Sequence, residues 1–323
     1  MNIKKKILVA PLNWGLGHAT RCMPIIERLL HEGNEVLIGA DGAPLVLLKA
    51  RFPQCTFIDW NGVSINYSGN MIFSMLIQVP KILWSIYKEH QHLEKIVEEY
   101  KIDMVISDNR FGLWNKKIHS VFITHQVNII SPFAEKLLFK INKWFIEKYD
   151  ECWVPDYEGA LNLSGDLSHP KNEYYKKNFP KNLKYIGPQS RFTKGNIDAE
   201  KKYEVVGIVS GPEPQRTLFF EKLKSDFEKI NGETLIIAGT PNNSEFRIQK
   251  PVRQLADSKL SIVPHLEDND FVVALYSAKK IICRSGYSTI MDLHVLGLSA
   301  EFVATKGQTE QEYLEKLMKN ENI

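Results

Sequence analysis

The chain has 323 residues, comfortable for two domains, and its 44% hydrophobic and 24% charged content is that of a soluble globular protein. A net charge of +3 and a pI near 8.4 are only mildly basic. With neither a long Lys/Arg block nor a zinc-finger spacing, they give no ground for a nucleic-acid partner. Four scattered cysteines (Cys22, Cys55, Cys152, Cys283) form no CxxC pair, which argues against a disulfide scaffold or structural zinc and fits a reducing cytoplasm.

In chain order, Lys4–Lys6 precede only a short apolar run before Asn13, too short for a signal peptide. No stretch reaches the roughly 18 apolar residues that a membrane span needs. Residues 6–11 (KILVAP) read as a buried strand, and Ala19–His31 as a helix with Cys22, Ile26, Leu29 and Leu30 on one face and Gly33 as a stop. Strands follow near 35–40 and 55–60, a long helix over roughly 71–99, strands near 103–107 and 120–124, a helix over about 133–148 and a strand at 151–155. Between 156 and 200 the sequence turns polar and rich in Asn, Lys and Pro, around one short apolar run at 184–187. The alternation then restarts with strand 204–209, helix 214–229, strands 234–238 and 260–263, helix 270–278, strand 280–283 and helix 288–296. Strands alternating with helices imply βαβ units and a mostly parallel sheet. The expected organisation is a first α/β domain over 1–155, an irregular connection over 156–200 and a second α/β domain over 201–323. The sequence stops at Ile323, soon after a helix begins near Glu310, which suggests an early end.

Chemistry concentrates after the strands. The first strand runs into a loop with Gly15 and Gly17, ending in His18. Glycines let such a backbone turn tightly and approach a ligand, and the following helix start presents amides. A dinucleotide fingerprint would need a third glycine at Thr20 and an acid such as Asp41; the missing glycine makes NAD a weak candidate. His18 has the chemistry of a general base near neutral pH, with a helix-capping role as the plainer alternative. Asp108-Asn109-Arg110 and Thr124-His125-Gln126 also follow strands, with catalytic and structural roles both open for His125.

In the second half, Ser210-Gly211 and Arg216 follow the strand at 204–209. The strand at 280–283 then ends at Arg284-Ser285-Gly286, followed by Ser288, Thr289 and Asp292 on a helix. Backbone amides at a helix start, beside an arginine, attract an anion, and a carboxylate a turn further on suits sugar hydroxyls. Asp268-Asn269-Asp270 matches a metal-binding D-x-D but directly precedes an apolar helix, where Asp as N-cap is the favoured explanation. The helix over 133–149 mixes Phe133, Leu137, Leu138, Ile141, Trp144 and Phe145 with Lys136, Lys140, Lys143 and Lys148. Core packing with a solvated lysine face is favoured there over contact with an anionic bilayer. The apolar stretch 71–87 suits an acceptor groove for a greasy substrate.

Taken together, the glycine loop ending in His18, the Ser210-Gly211 turn, the RSG-x-x-T-x-x-[DE] segment (Arg284, Ser285, Gly286, Thr289, Asp292) and the loop Gln308-Thr309-Glu310-Gln311 resemble a GT-B glycosyltransferase. The style is that of family 28, whose type enzyme adds N-acetylglucosamine to lipid-linked muramyl-pentapeptide. The resemblance implies two Rossmann-like doubly wound α/β domains facing a cleft, with a nucleotide sugar on the C-terminal domain and an acceptor on the N-terminal one. It implies diphosphate contacts at Ser210, Gly211, Arg216, Arg284, Ser285, Gly286, Ser288 and Thr289, with the ribose on Asp292. It also implies the base against the backbone of 263–266, the donor sugar on Gln308, Thr309 and Gln311, and the acceptor side at Gly15, Gly17 and His125. His18 is then the base of an inverting sugar transfer from a UDP-sugar to a glycan, lipid or small hydroxyl acceptor, with no metal or other cofactor. The family usually has glutamate where this chain has Asp292, and proline near Ser299, where none occurs. Two alternatives stand beside transfer. One is a nucleotide-sugar hydrolase, because such hydrolases share a G-x-G-H-x-x-R-C stretch like Gly15–Cys22; the other is a non-catalytic nucleotide-sugar-binding subunit. The expected location is the cytoplasm, with peripheral contact at the inner membrane face left open.

Overall fold

The computed structural model describes residues 4–60, 71–132, 134–195, 197, 199–240 and 258–321, with backbone alone at 71–78, 258 and 321. The chain divides into two compact units, residues 1–191 and 192–323.

The first unit is built on a parallel sheet ordered β3-β2-β1-β4-β5-β6-β7. Its strands are β1 (Lys6–Pro11), β2 (Glu35–Ala40), β3 (Thr56–Asp59), β4 (Met104–Asp108), β5 (His119–Ile123), β6 (Glu151–Val154) and β7 (Leu183–Tyr185). Central strands are continuous apolar runs because helices cover both faces, and successive side chains serve opposite layers. Thus Ile7 and Val9 of β1 pack with Cys22, Ile26 and Leu29 of α1 (Leu16–His31) and with Leu48 of α2 (Gly42–Arg51). Leu8 and Ala10 pack instead with Leu93 and Ile96 of α3 (Met71–Tyr100). A third cluster joins Phe122 and Cys152 to Ile146 at the end of α4 (Glu135–Ile146).

The stretch expected to be irregular is not wholly so. It carries a 3₁₀ turn at Gly165–Leu167, helix α5 (Glu173–Asn178) and edge strand β7, which pairs with β6 in the first sheet. The buried Asp156 carboxylate organises its first part, accepting from the amides of Tyr157, Leu163 and Ser164 at 2.8–2.9 Å and from the Ser164 hydroxyl at 2.5 Å.

The second unit has a parallel sheet ordered β10-β9-β8-β11-β12. Its strands are β8 (Tyr203–Ile208), β9 (Gly232–Ile237), β10 (Ser258–Val263), β11 (Ala278–Cys283) and β12 (Glu301–Phe302). Helices α6 (Gln215–Phe227), α7 (Asp268–Tyr276), α8 (Tyr287–Leu296) and α9 (Thr309–Glu321) complete it. Phe219, Leu223 and Phe227 of α6 pack on Val205 and Ile236. Gly207 allows this close approach, since a Cβ there would come within 2.9 Å of Leu223. At α7 the N-cap is Glu267, without a side-chain capping bond, so neither expected aspartate is the cap. Asp268 and Asp270 occupy the first turn, where negative charge complements the helix dipole.

The helix with the basic–aromatic pattern shows two faces. Phe139, Asn142, Phe145 and Ile146 are buried as expected for core packing, while Leu137, Ile141 and Trp144 are exposed. Phe133 lies outside the described residues, as do the side chains of 71–78 in the expected acceptor groove.

Candidate functional site

Each sheet has one place where neighbouring strands lead their connections to opposite sides, and ligands collect at the carboxyl ends there. In the first sheet it lies between β1 and β4, where Pro11 is aligned with Asp108. The β1 loop enters α1 through Gly15, whose φ of 95° is left-handed space that favours glycine. Gly17 and His18 then fall in the first turn of α1.

His18 faces Asp108, with Nδ1 3.3 Å from each carboxylate oxygen. Arg21, one turn further along α1, donates from Nε to Asp108 Oδ2 at 2.8 Å and from Nη2 to Oδ1. The same Nη2 is 2.9 Å from His18 Nδ1, and Nη1 is 3.1 Å from His125 Nδ1. Asp108, Arg21 and His125 are all buried, whereas the His18 side chain keeps 14% exposure. His125 follows β5, and its carbonyl accepts from Ser168 Oγ at 2.5 Å. The sheet therefore gathers two expected residues, His18 and His125, around two that sequence reasoning had not placed in a role, Asp108 and Arg21. The available signals were the i, i+3 spacing of His18 and Arg21 and the position of Asp108 at a strand's carboxyl end.

Burial opposes charge on Asp108, but Arg21 and His18 outweigh it and hold the carboxyl well below the usual carboxylate range. Burial, then the neighbouring Arg21 charge, lowers the pKa of His18 from 6.5, and Asp108 offsets this only in part. The result is an imidazole neutral near pH 7, backed by a permanent carboxylate, which is the electrostatic arrangement of a general base. At His18 Nδ1 the Asp108 carboxylate favours a proton, while Arg21 Nη2, a donor at 2.9 Å, opposes it.

Beside it, buried Arg110 pairs with Glu89 at 2.7 Å and lies 3.5 Å from Asp41. Asp41, the acid a dinucleotide reading would need, is thus held by a charge partner within the protein. Burial raises the pKa of Glu89, and Arg110 counters it. Among the described residues no group of three His, Cys, Asp or Glu side chains is arranged to hold a metal.

In the second sheet the corresponding point lies between β8 and β11, where Ile208 is aligned with Cys283. The turns Ser210-Gly211 and Arg284-Ser285-Gly286 therefore leave adjacent strands at the same level. Gly211 has a φ of 106°, and a Cβ added at Gly211 or Gly286 would meet open space. Gly286 is the N-cap of α8, so Ser288 and Thr289 lie in its first turn, and Asp292 follows about a turn later, half-buried.

Several expected ligand contacts have other tasks here. Arg284 is buried, donates to the carbonyls of Val303 and Ala304 at 3.3 and 2.8 Å, and lies 4.0 Å over the Phe219 ring. Ser285 donates to the Gln311 carbonyl at 2.8 Å, and the Gln311 side chain accepts from the Thr305 amide at 2.9 Å. These bonds fasten the Thr305–Gln311 loop, with half-buried Gln308 and Thr309, to the β11–α8 turn. Arg216 is paired with Glu213, which also accepts from the Thr217 hydroxyl at 2.8 Å. Chemically, the second unit offers two open backbone turns beside a helix N-terminus, and the first offers a buttressed imidazole.

A family profile described as glycosyl transferase family 1 matches residues 5–131. An uncharacterized glycosyltransferase of Methanosarcina acetivorans is 25% identical over 337 residues, covering 95% of this chain and 81% of that protein. The UDP-N-acetylglucosamine–N-acetylmuramyl-(pentapeptide) pyrophosphoryl-undecaprenol N-acetylglucosamine transferase of Haemophilus influenzae strain KW20 is 26% identical over 330 residues, with 96% and 81% covered. Among solved structures, Arabidopsis thaliana UGT89C1 complexed with UDP-L-rhamnose aligns with a TM-score of 0.66 at 12% identity, over 99% of this chain and 84% of that one. Acinetobacter baumannii MurG aligns with a TM-score of 0.54 at 14% identity, over 98% and 83%. The fold is GT-B, with two Rossmann-like sheets, and the relatives are glycosyltransferases.

Proposed function

From a GT-B chain similar along its length to glycosyltransferases, we propose an enzyme that transfers a sugar from a UDP-sugar to a hydroxyl acceptor, with His18 as base. The carrying observation is that His18 is backed by the buried Asp108 at the β1–β4 switch point. Transfer needs the acceptor hydroxyl deprotonated, the departing diphosphate stabilised and the sugar held in line. His18 takes the acceptor proton, and Asp108 stabilises the imidazolium that forms. Attack on the face opposite the leaving group inverts the anomeric centre.

On the donor side, the diphosphate lies against Ser210, Gly211, Gly286, Ser288 and Thr289 at the start of α8, where the helix dipole favours an anion. Asp292 takes the ribose, and Gln308 and Thr309 lie toward the donor sugar. Arg284, Ser285 and Gln311 support this surface by fixing the turn and loop. A helix-dipole site already supplies positive potential, so no metal is assigned. The relatives named above are transferases, and neither hydrolysis nor binding alone draws support from them.

The test is UDP release with and without candidate acceptors. Acceptor-dependent release that persists in excess chelator is expected. Rapid, stoichiometric release of free sugar without any acceptor would instead make the protein a hydrolase. For the ribose assignment, Asp292→Ala is expected to weaken UDP binding about tenfold, the loss of roughly one to two hydrogen bonds. Unaltered affinity in calorimetry would remove Asp292 from the donor site.

The same proposal includes peripheral contact with an anionic membrane. Exposed Leu137, Ile141 and Trp144 form a stripe on α4, with exposed Lys136 and Lys140 beside it. Lys148 lies 3.8 Å over the Trp144 ring and 4.9 Å over Trp114, on which His90 of α3 stacks at 4.2 Å. Exposed Leu83, Trp84 and Tyr87 are also on α3. Apolar side chains ringed by lysines match the chemistry of an anionic bilayer surface. No described helix is long and apolar enough to cross a membrane. Replacing Ile141 and Trp144 together by Asp should reduce co-sedimentation with phosphatidylglycerol vesicles by about tenfold or more, the loss of buried apolar area. Equal sedimentation of wild type and variant would exclude this face.

A further inference from the structure

We propose that Arg21 is a positioning residue that fixes the tautomer of His125, so that the two histidines of the site have opposite proton roles. A guanidinium carries only donors and remains charged in proteins. Its Nη1 lies 3.1 Å from His125 Nδ1, so that nitrogen must accept, and the proton of the neutral ring resides on Nε2. Arg21 has little freedom to arrange this otherwise. It is 2% exposed, and Nε and Nη2 are both committed to the Asp108 carboxylate. The ring it orders is also anchored through its backbone, because Ser168 Oγ donates to the His125 carbonyl at 2.5 Å.

The contrast with His18 comes from Asp108. His18 Nδ1 is 3.3 Å from both Asp108 oxygens, and a carboxylate only accepts. In the base form of His18 the proton is on Nδ1 and Nε2 is open to receive another. Arg21 Nη2, 2.9 Å from the same Nδ1, pulls the other way, so His18 Nδ1 meets both an acceptor and a donor, whereas His125 Nδ1 meets the Arg21 donor. One side chain on α1 thereby distinguishes a proton acceptor, His18, from a hydrogen-bond donor, His125. The contrast in roles rests on the transferase proposal; the tautomer of His125 does not.

The experiment uses the full chain labelled with ¹⁵N-histidine, with the His125 signals assigned by their loss in His125→Gln. In wild type, the neutral His125 ring is expected as the Nε2–H form. A protonated Nδ1 would overturn the proposal, whatever the enzyme's activity. In Arg21→Lys, a single ammonium replaces the fork, and His125 is expected to lose its single-tautomer signature. An unchanged signal in a folded variant would show that Arg21 does not set it. If that variant does not fold, the wild-type spectrum alone decides. In turnover assays, His125→Gln, which keeps an N–H at the ε position, should retain at least tenfold more kcat/KM than His125→Asn. Equal losses would remove the donor role.

Discussion

His18→Ala is expected to lower turnover by about 10²- to 10⁴-fold while leaving UDP affinity within about twofold, the pattern of a lost general base. Such a loss corresponds to roughly 3–5 kcal/mol of transition-state stabilisation. UDP affinity is preserved because the proposed donor contacts all belong to the second sheet. Folding should survive as well, since Asp108 keeps both bonds from Arg21 when the imidazole is removed. The pH profile provides a separate signature. Because burial and Arg21 lower the pKa of His18, the acid limb of kcat/KM should fall below the ordinary histidine value of 6.5. The same shift means that the native state binds fewer protons than the unfolded chain as pH falls below 6.5. His18 therefore costs stability on that side and nothing above it. Turnover unchanged in His18→Ala would remove His18 from the mechanism. A wild-type acid limb above 6.5 would contradict the placement of Arg21 beside its ring.

Asp108→Ala should be the most destabilising single change in the first unit's site. It removes the carboxylate that neutralises Arg21, itself 2% exposed, and breaking a buried pair in this way costs about 3–5 kcal/mol. For a unit of this size that is a drop of roughly 6–20 °C in Tm. A control is offered by Glu27 on α1, the helix that carries Arg21. The Arg51–Glu27 pair, at 2.8 Å with side chains 45% and 44% exposed, is screened by solvent and worth about 0–1 kcal/mol. Glu27→Ala should accordingly shift Tm by no more than about 4 °C. Comparable shifts in the two variants would mean that the buried network adds nothing to stability. The sign with pH is also fixed. Asp108 has a depressed native pKa, so its contribution is complete above about pH 4 and is lost as pH falls through the native value.

These two residues also mark how much of the molecule could be read before its fold was known. The central strands were legible because a parallel strand covered on both faces must be apolar throughout, as in ILVAP of β1 or EVLIGA of β2. Helices α1 and α8 were legible from their apolar spacing, and His18 and the α8 start from the glycine turns before them. Helix α2 was missed: its GAPLVLLKAR has almost no polar face to mark a helical period. Strands β7 and β12 were missed because three and two residues are too few to show one. The cap of α7 was misplaced because Glu267, Asp268 and Asp270 are all acids suited to a helix start.

The sequence by itself determined two α/β halves, each with glycine turns and polar groups at the carboxyl ends of its strands. Which of those groups meet was decided by strand order alone. His18 and Asp108 are 90 positions apart and come together because β4, not β2's other neighbour, lies beside β1. Local periodicity reports which face of a strand is buried, but it carries no term for which strands pair. The same limit hid the inward commitments of Arg284 and Gln311, whose partners at Val303, Ala304 and Thr305 are set by the docking of the loop after β12. A residue type announces the chemistry available to it; only the packed sheet decides whether that chemistry faces a ligand or another part of the chain.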